Sequence, residues 1–248
     1  MPVGVSPTTV PGMRQADLEI RTLTRTVDLG TVATLLDQVW GAAEPIVTAD
    51  LLRAISYAGG YIAGAFDADD MVAGSFGFLA RHDGQEALHS HVTGVRPGLQ
   101  HRGAGRAIKQ HQRDWAADRD IPWITWTFDP LVRRNAWFNI EVLQAQITEY
   151  IVDFYGAMYD DINAHDDSDR LVAAWPSDAS VERSHPPATG VRRAIATPDD
   201  IVALRQTDPQ ATAEWRHRIR HRFTDLFAAG GTVTGFTRQG EYVTHTPT

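Results

Sequence analysis

The stretch Val95-Arg96-Pro97-Gly98-Leu99-Gln100-His101-Arg102-Gly103-Ala104-Gly105-Arg106-Ala107-Ile108 joins a strand-like segment to a helical one, with glycines at the helix entrance. The first turn of a helix offers backbone N–H groups without intrahelical acceptors, at the positive end of the macrodipole. Glycine there lets an anion reach the backbone, so Gly103 and Gly105 read as a phosphate cradle to which Arg102 and Arg106 add charge. Two familiar phosphate loops fail on spacing. A Walker loop needs Gly-Lys followed by Ser or Thr, and a dinucleotide fingerprint needs Gly or Ala where this chain has Ile108. Taken alone, the Gly-x-Gly is equally a tight turn before a helix.

Upstream of the cradle, His89 and His91 stand two apart on the entering strand and share a face. An imidazole with an ordinary pKa near 6.5 can accept a proton at neutral pH, and His91 lies nearer the loop. Both also read as structural histidines with satisfied nitrogens. Two histidines without a third ligand at suitable spacing do not make a metal site. Farther on, Glu149 and Asp153 share an expected strand face with Ile151 and Tyr155. A carboxylate there is either functional or edge-exposed. Arg133-Arg134 could hold a substrate carboxylate or simply begin a short surface helix.

The elements that must position these residues follow from periodicity. Residues 1–16, with Pro2, Pro7, Pro11, Gly4 and Gly12, read as a mobile tail. A strand begins at Leu18, and Val32, Leu35, Leu36 and Val39 form one stripe of a helix over Asp28–Trp40. A second helix starts at Thr48 and stops at Gly59-Gly60. Strands follow at Tyr61–Phe66, Val72–Arg81 and Glu86–Val95, with spacers short enough for antiparallel hairpins. Then come a helix over Gly103–Asp118, a strand at Pro122–Phe128, a helix at Arg133–Leu143 and strands at Gln146–Tyr155 and Arg170–Trp175. This order predicts an α/β fold whose mixed, mostly antiparallel sheet is flanked by helices.

Residues 178–190, containing Pro186-Pro187, read as a linker, and 191–248 as an extension packed on the main domain, 17–177. Helices at Pro198–Leu204 and Gln210–Ala229 and a closing hairpin at Thr232–Phe236 and Tyr242–Thr244 are expected there. In the longer helix Trp215, Ile219, Phe223 and Leu226 make a stripe, and Arg216, Arg218, Arg220 and Arg222 read as a solvated face rather than a nucleic-acid site. With 31 acidic against 23 basic residues, the net charge of −8 opposes nucleic-acid binding and anionic membranes. No apolar run is long enough to span a bilayer, and no secretory leader is evident. The chain has no cysteine, which excludes thiol catalysis and fits a cytoplasmic location.

Val95, Pro97, Gln100, Gly103 and Gly105 together resemble the acyl-CoA-binding signature of the GNAT N-acyltransferase superfamily, and the element order from Leu18 to Trp175 resembles that fold. Ser90-His91-Val92, Gly94-Val95, Thr125-Trp126-Thr127-Phe128-Asp129-Pro130-Leu131, Asn135-Ala136, Asn139, Asp169-Arg170 and Trp175 resemble a branch with a C-terminal extension. Some members of that branch are linked with N-acylation of amino acids, succinylation included. The resemblance implies an acyl-CoA-dependent N-acyltransferase acting on a primary amine of a small molecule. Acetyl-CoA is the first expectation, another acyl-CoA the second, as co-substrate without a metal.

It further implies that Gln100, His101, Arg102, Gly103, Ala104, Gly105 and Arg106 cradle the pyrophosphate, that Thr93, Gly94 and Val95 pair with the pantetheine arm, and that Asn135 touches it. The strands near Val95 and Trp123 would splay to admit the thioester, with a backbone N–H near Val95 at the oxyanion. Freeing the lone pair of an amine of pKa about 10.4 costs roughly 4–5 kcal/mol at pH 7, so a base is needed. His91 is the first candidate and His89 the second. The family's late-helix tyrosine falls near Ile140 here, leaving Tyr150, Tyr155 or Tyr159 as substitutes, with Tyr155 taken into the catalytic set. Arg133, Arg134 and Glu149 are the substrate-side candidates. A CoA-binding sensor without catalysis is the alternative. The oligomeric state stays open, a homodimer included.

Overall fold

In the computed structural model, which describes residues 18–41, 44–99, 103–156, 166–178 and 190–248, the strand-like segments of the first half pair as an antiparallel run. They are β1 (Glu19–Thr22), β2 (Tyr61–Asp67), β3 (Asp70–His82) and β4 (Gln85–Val95). The β3–β4 hairpin turns at Asp83-Gly84, both at positive φ, the backbone a two-residue turn requires. Between β1 and β2 lie α1 (Thr26–Trp40) and α2 (Ala49–Tyr57). The Thr48 hydroxyl caps α2 by accepting from the Leu51 N–H at 3.2 Å, and Gly41 at φ 58° ends α1. The buried stripe of α1 and Leu52 of α2 pack on Ile62, Phe66 and Phe76 of one sheet face.

On the other face α3 (Ala104–Ala117) crosses over to β5 (Trp123–Phe128), which lies parallel to β4. After it come α4 (Arg133–Trp137), a π-helical turn over Phe138–Val142, β6 (Gln146–Ile151) and β7 (Arg170–Pro176). The sheet order is β1-β2-β3-β4-β5-β7-β6, with β4–β5 its one parallel pair, so the expected mixed, mostly antiparallel α/β architecture is what forms.

Three local expectations are corrected. The helix expected over Arg133–Leu143 changes to π pitch at Phe138, where the Leu143 N–H donates to the Phe138 carbonyl at 2.9 Å. The strand expected to reach Tyr155 stops at Ile151. Asp153 sits in a turn at φ 47°, its carboxylate accepting from the Ser168 hydroxyl at 3.1 Å, so it shares no strand face with Glu149. A strand that periodicity did not show, β8 (Val191–Ala196), buries only Ile195 and therefore carries no alternation.

β8 joins β9 (Thr232–Phe236) and β10 (Glu241–Thr246) in a second sheet of order β8-β10-β9. With α5 (Ile201–Thr207) and α6 (Pro209–Ala228), this sheet docks onto the main one. Ile219, Phe223 and Leu226 of α6 share one apolar cluster with Ile195, Phe236 and Tyr242, and with Trp126, Phe128, Leu131 and Leu171 of the main sheet side.

The solvated-face reading holds for Arg218 and Arg222, which are exposed, and fails for Arg216 and Arg220. Arg216 is 1% exposed and donates to Asp129 at 3.1 Å through both terminal nitrogens and to Asp166 at 2.7 Å. Arg205 of α5 binds the same two carboxylates, and Arg220 forks onto Asp169 at 2.9 and 2.8 Å and reaches Asp167. Burial alone would raise the Asp129 carboxyl, yet Arg216 and Arg205 hold it far below the usual carboxylate range.

Removing one partner of such a network strands buried charge, so Arg216→Ala should cost about 3–5 kcal/mol in chemical denaturation. Because the folded Asp129 pKa lies below its unfolded value of about 3.9, its stabilisation is full above that value and is lost as pH falls beneath it. The Arg216→Ala variant should show a flatter acid limb in the same titration.

Candidate functional site

β4 and β5 pair only over Ala87–His89 against Trp123–Thr125. Beyond those residues β4 keeps β3 on its outer edge and β5 keeps β7, so the facing edges part from Ser90 and Trp126 onward. The β3–β4 register slips at this place. Phe76 pairs with Val92 and Gly77 with Ser90, which leaves His91 as the extra residue of a β-bulge. A bulge sharpens the local twist and re-aims a side chain. Gly77 is what permits it, since a Cβ there would lie 2.7 Å from the His89 carbonyl oxygen.

A cavity of about 490 Å³ occupies the split. One wall is built on the α3 side of the sheet. Lys109 donates from Nζ to Ser90 Oγ at 2.8 Å and sits 4.0 Å from the centre of the Trp126 ring, whose Nε1–H reaches Asn139 Oδ1 at 3.2 Å. The opposite wall carries His91, whose ring lies against Phe76 and Phe78 and edge-on to Tyr155 at 6.2 Å. The Tyr155 hydroxyl meets Thr127 Oγ1 at 3.1 Å. Asp129, Arg170 and Arg205 also line the cavity, so the ion network that docks α5 and α6 borders it directly.

Burial pushes the His91 imidazole below its ordinary value, so it is the neutral, proton-accepting form at pH 7. His89 is driven to about 4 by burial and by the neighbouring His91 and Lys109 charges. Its Nδ1 is engaged with Thr125 Oγ1 at 3.0 Å within the paired stretch, and it does not line the cavity. Of the two histidines, only His91 reaches the space. Burial also takes Lys109 from 10.5 down to about 7, into the range where an amine exchanges its proton at physiological pH.

The cradle residues divide. Thr93, Val95, Gly105 and Asn135 line the cavity. Gly94 faces α1 instead, where a Cβ would come within 2.9 Å of Trp40. Gly103, at φ 84°, opens α3 and brings no side-chain cap of its own to the first-turn amides. Ala104 is buried, and Arg106 is exposed on that turn. Gln100, His101 and Arg102 lie outside the described residues, as does Tyr159. Tyr150 is committed to packing, stacked on Phe223 and donating to Asp169 at 2.5 Å.

The substrate-side set is placed elsewhere. Arg133 is tied to Thr197, at 3.0 Å to the hydroxyl and 2.6 Å to the carbonyl, and to Asp199, so it anchors the C-terminal region. Arg134 is exposed on α4 and Glu149 is exposed on β6, and neither lines the cavity. Sequence reasoning missed Lys109, Ser90, Arg170 and Arg205. Lys109 left a readable trace: with Gln112 and Ala116 it falls at helical spacing on the buried side of α3, where a lysine is out of place.

The Lys109 shift carries a stability prediction. Between pH about 7 and 10.5 the unfolded chain binds one proton more at this residue than the folded chain does. Stability therefore rises with pH across that window, and the penalty has its full size below it. Lys109→Met should be more stable than the parent at pH 6–7, by up to several kcal/mol, with the margin shrinking toward pH 10 in thermal or urea unfolding.

No protein-family model matches the chain, and no curated protein matches it. Among solved structures it is similar to the ribosomal-protein-S18-alanine N-acetyltransferase of Escherichia coli, at 17% identity and TM-score 0.49, over 67% of this chain and 97% of the other. It is similar to a putative acetyltransferase of Salmonella typhimurium determined with acetyl-CoA, at 13% identity and TM-score 0.49, over 67% and 99%. A GNAT-family acetyltransferase of Elizabethkingia anophelis with bound acetyl-CoA is similar at 12% identity and TM-score 0.47, over 65% and 99%.

Proposed function

We propose that this chain is an acyl-CoA-dependent N-acyltransferase that passes an acyl group, acetyl first among the candidates, directly to a primary amine of a small molecule such as an amino acid. The observation that carries the reading is the parting of β4 and β5 beyond His89 and Thr125, with the cavity filling the gap and Gly105 of the first turn of α3 on its lining. An extended pantetheine arm needs a strand edge to pair with, and among the described residues the inner edge of β4 past Ser90 pairs with no strand. The uncapped start of α3 suits the pyrophosphate.

On the opposite wall His91 takes a proton from the acceptor amine, and its lowered pKa keeps it neutral for that task. Tyr155 and Thr127 border the space where the amine arrives. Main-chain N–H groups of the β4 edge near Val95 donate to the oxygen that gains charge as the amine adds. A nucleic-acid role for α6 fares poorly, because Arg216 and Arg220 are spent on Asp129, Asp166, Asp167 and Asp169.

Calorimetry with CoA, together with free-thiol release from acetyl-CoA and succinyl-CoA over an amino-acid and polyamine panel, tests the proposal. Saturable release with one amine is the expected outcome. Binding without release on any amine would replace it with the sensor reading, and failure to bind CoA would overturn both. With the active amine in hand, His91→Ala should lower kcat about a hundredfold or more. The parent's rate should fall on the acid side below the ordinary histidine value of about 6.5, and the variant should lose that limb.

A further inference from the structure

The group that the transferase reading leaves unused is the buried amine at the apex of the split. Lys109 is 5% exposed, lines the cavity, and meets the two residues at which the strands part, Ser90 at 2.8 Å and Trp126 at 4.0 Å from its ring centre. It stands on the wall opposite His91. An arm that enters over the first turn of α3 and runs along β4 brings its far, reactive end toward this apex. We propose that Lys109 is the proton donor to the departing thiolate, a role that rests on the transferase reading above.

The chemistry balances. As the C–N bond forms, the acceptor nitrogen gives a proton to His91. As the C–S bond breaks, the sulfur receives a proton from Lys109 Nζ, leaving free thiol, amide, imidazolium and neutral amine. Exchange with solvent then resets His91 and Lys109. The Ser90 oxygen and the Trp126 face favour the ammonium form before reaction. At about 7, Lys109 is more acidic than a thiol of pKa about 8.5, so the transfer runs downhill, whereas an ordinary lysine would hold its proton. Among the described residues, the charged and titratable groups around it are His89 and His91 on β4, and Asp129, Tyr155, Arg170 and Arg205 lining the same cavity.

The test compares parent, Lys109→Met and Lys109→Arg for CoA affinity, for kcat of thiol release from acetyl-CoA, and for the pH profile. Hydroxylamine serves as acceptor, a small amine largely unprotonated at neutral pH. The expected result is a CoA Kd within threefold in both variants, a kcat lowered about a hundredfold or more, and loss of the parent's decline on the alkaline side. Lys109→Arg keeps the charge but holds its proton too tightly to rescue the rate. A Lys109→Met kcat within threefold of the parent, an unchanged alkaline limb, or loss of CoA binding in both variants would overturn the assignment and leave the transferase reading standing. A parent that binds no CoA, or binds it without releasing thiol even to hydroxylamine, would overturn that reading as well.

Discussion

A single misfit in strand pairing organises this molecule. β3 and β4 are held in antiparallel register on both sides of His91 but differ there by one residue, and Gly77 takes up the closeness that results. The twist imposed at the bulge coincides with the place where β4 leaves β5. Backbone groups that part inside a protein must find other partners. Here the Ser75 hydroxyl donates to the Val92 carbonyl at 2.8 Å, accepts from Gln112 at 2.8 Å and meets Thr93 Oγ1 at 2.8 Å. That buried polar strip supports one side of β4, and the cavity occupies the other.

The C-terminal region is bound into the same construction. Asp129 ends β5, borders the cavity and accepts from Arg205 and Arg216, one from each helix of the extension. Tyr242 adds a hydrogen bond to the Pro130 carbonyl at 2.7 Å, and Glu141 of the π turn accepts from the Phe236 N–H at 2.7 Å. These ties hold the segment after β5, which carries Asn135 and Asn139 into the cavity, against a second layer of structure. Charge pairs this deep often add less to stability than apolar packing of equal volume would, whereas removing one partner strands the other's charge.

Much of the fold was legible because its signals are local. The short acidic and glycine-containing spacers that fold β2 to β4 into hairpins, the Thr48 cap, the Gly59-Gly60 stop and the α1 stripe each depend on neighbours in sequence, and each formed as read. The failures are tertiary. β8 is a strand only because β10 pairs with it, Arg216 is buried only because two distant aspartates meet it, and Arg133 is taken up by Thr197 and Asp199 across 64 and 66 residues. The site was half legible for the same reason. His91, Thr93, Val95, Gly105 and Asn135 lie close to the glycine motif in sequence or follow from the resemblance, whereas Arg170 and Arg205 reach the cavity through long-range pairing.

Lys109 differs from these: it was missed although its helical spacing marks it, and its contacts with Ser90 and Trp126 do not require a charge. A methionine would fill the same volume beneath Trp126 without a desolvation cost, and Ser90 could turn its hydroxyl to the main chain. A chain whose neighbouring α3 positions include the well-packed Ile108 and Ala116 had apolar solutions available at this one. Residues that break the local rule without a packing gain concentrate where chemistry is done, since strain and desolvation are tolerated there for the sake of reactivity. Burial lowers both His91 and Lys109 on opposite walls of the same gap, leaving the imidazole without its proton at neutral pH and bringing the amine into the range where it exchanges one, and the proposed base and acid roles rest on that single physical effect.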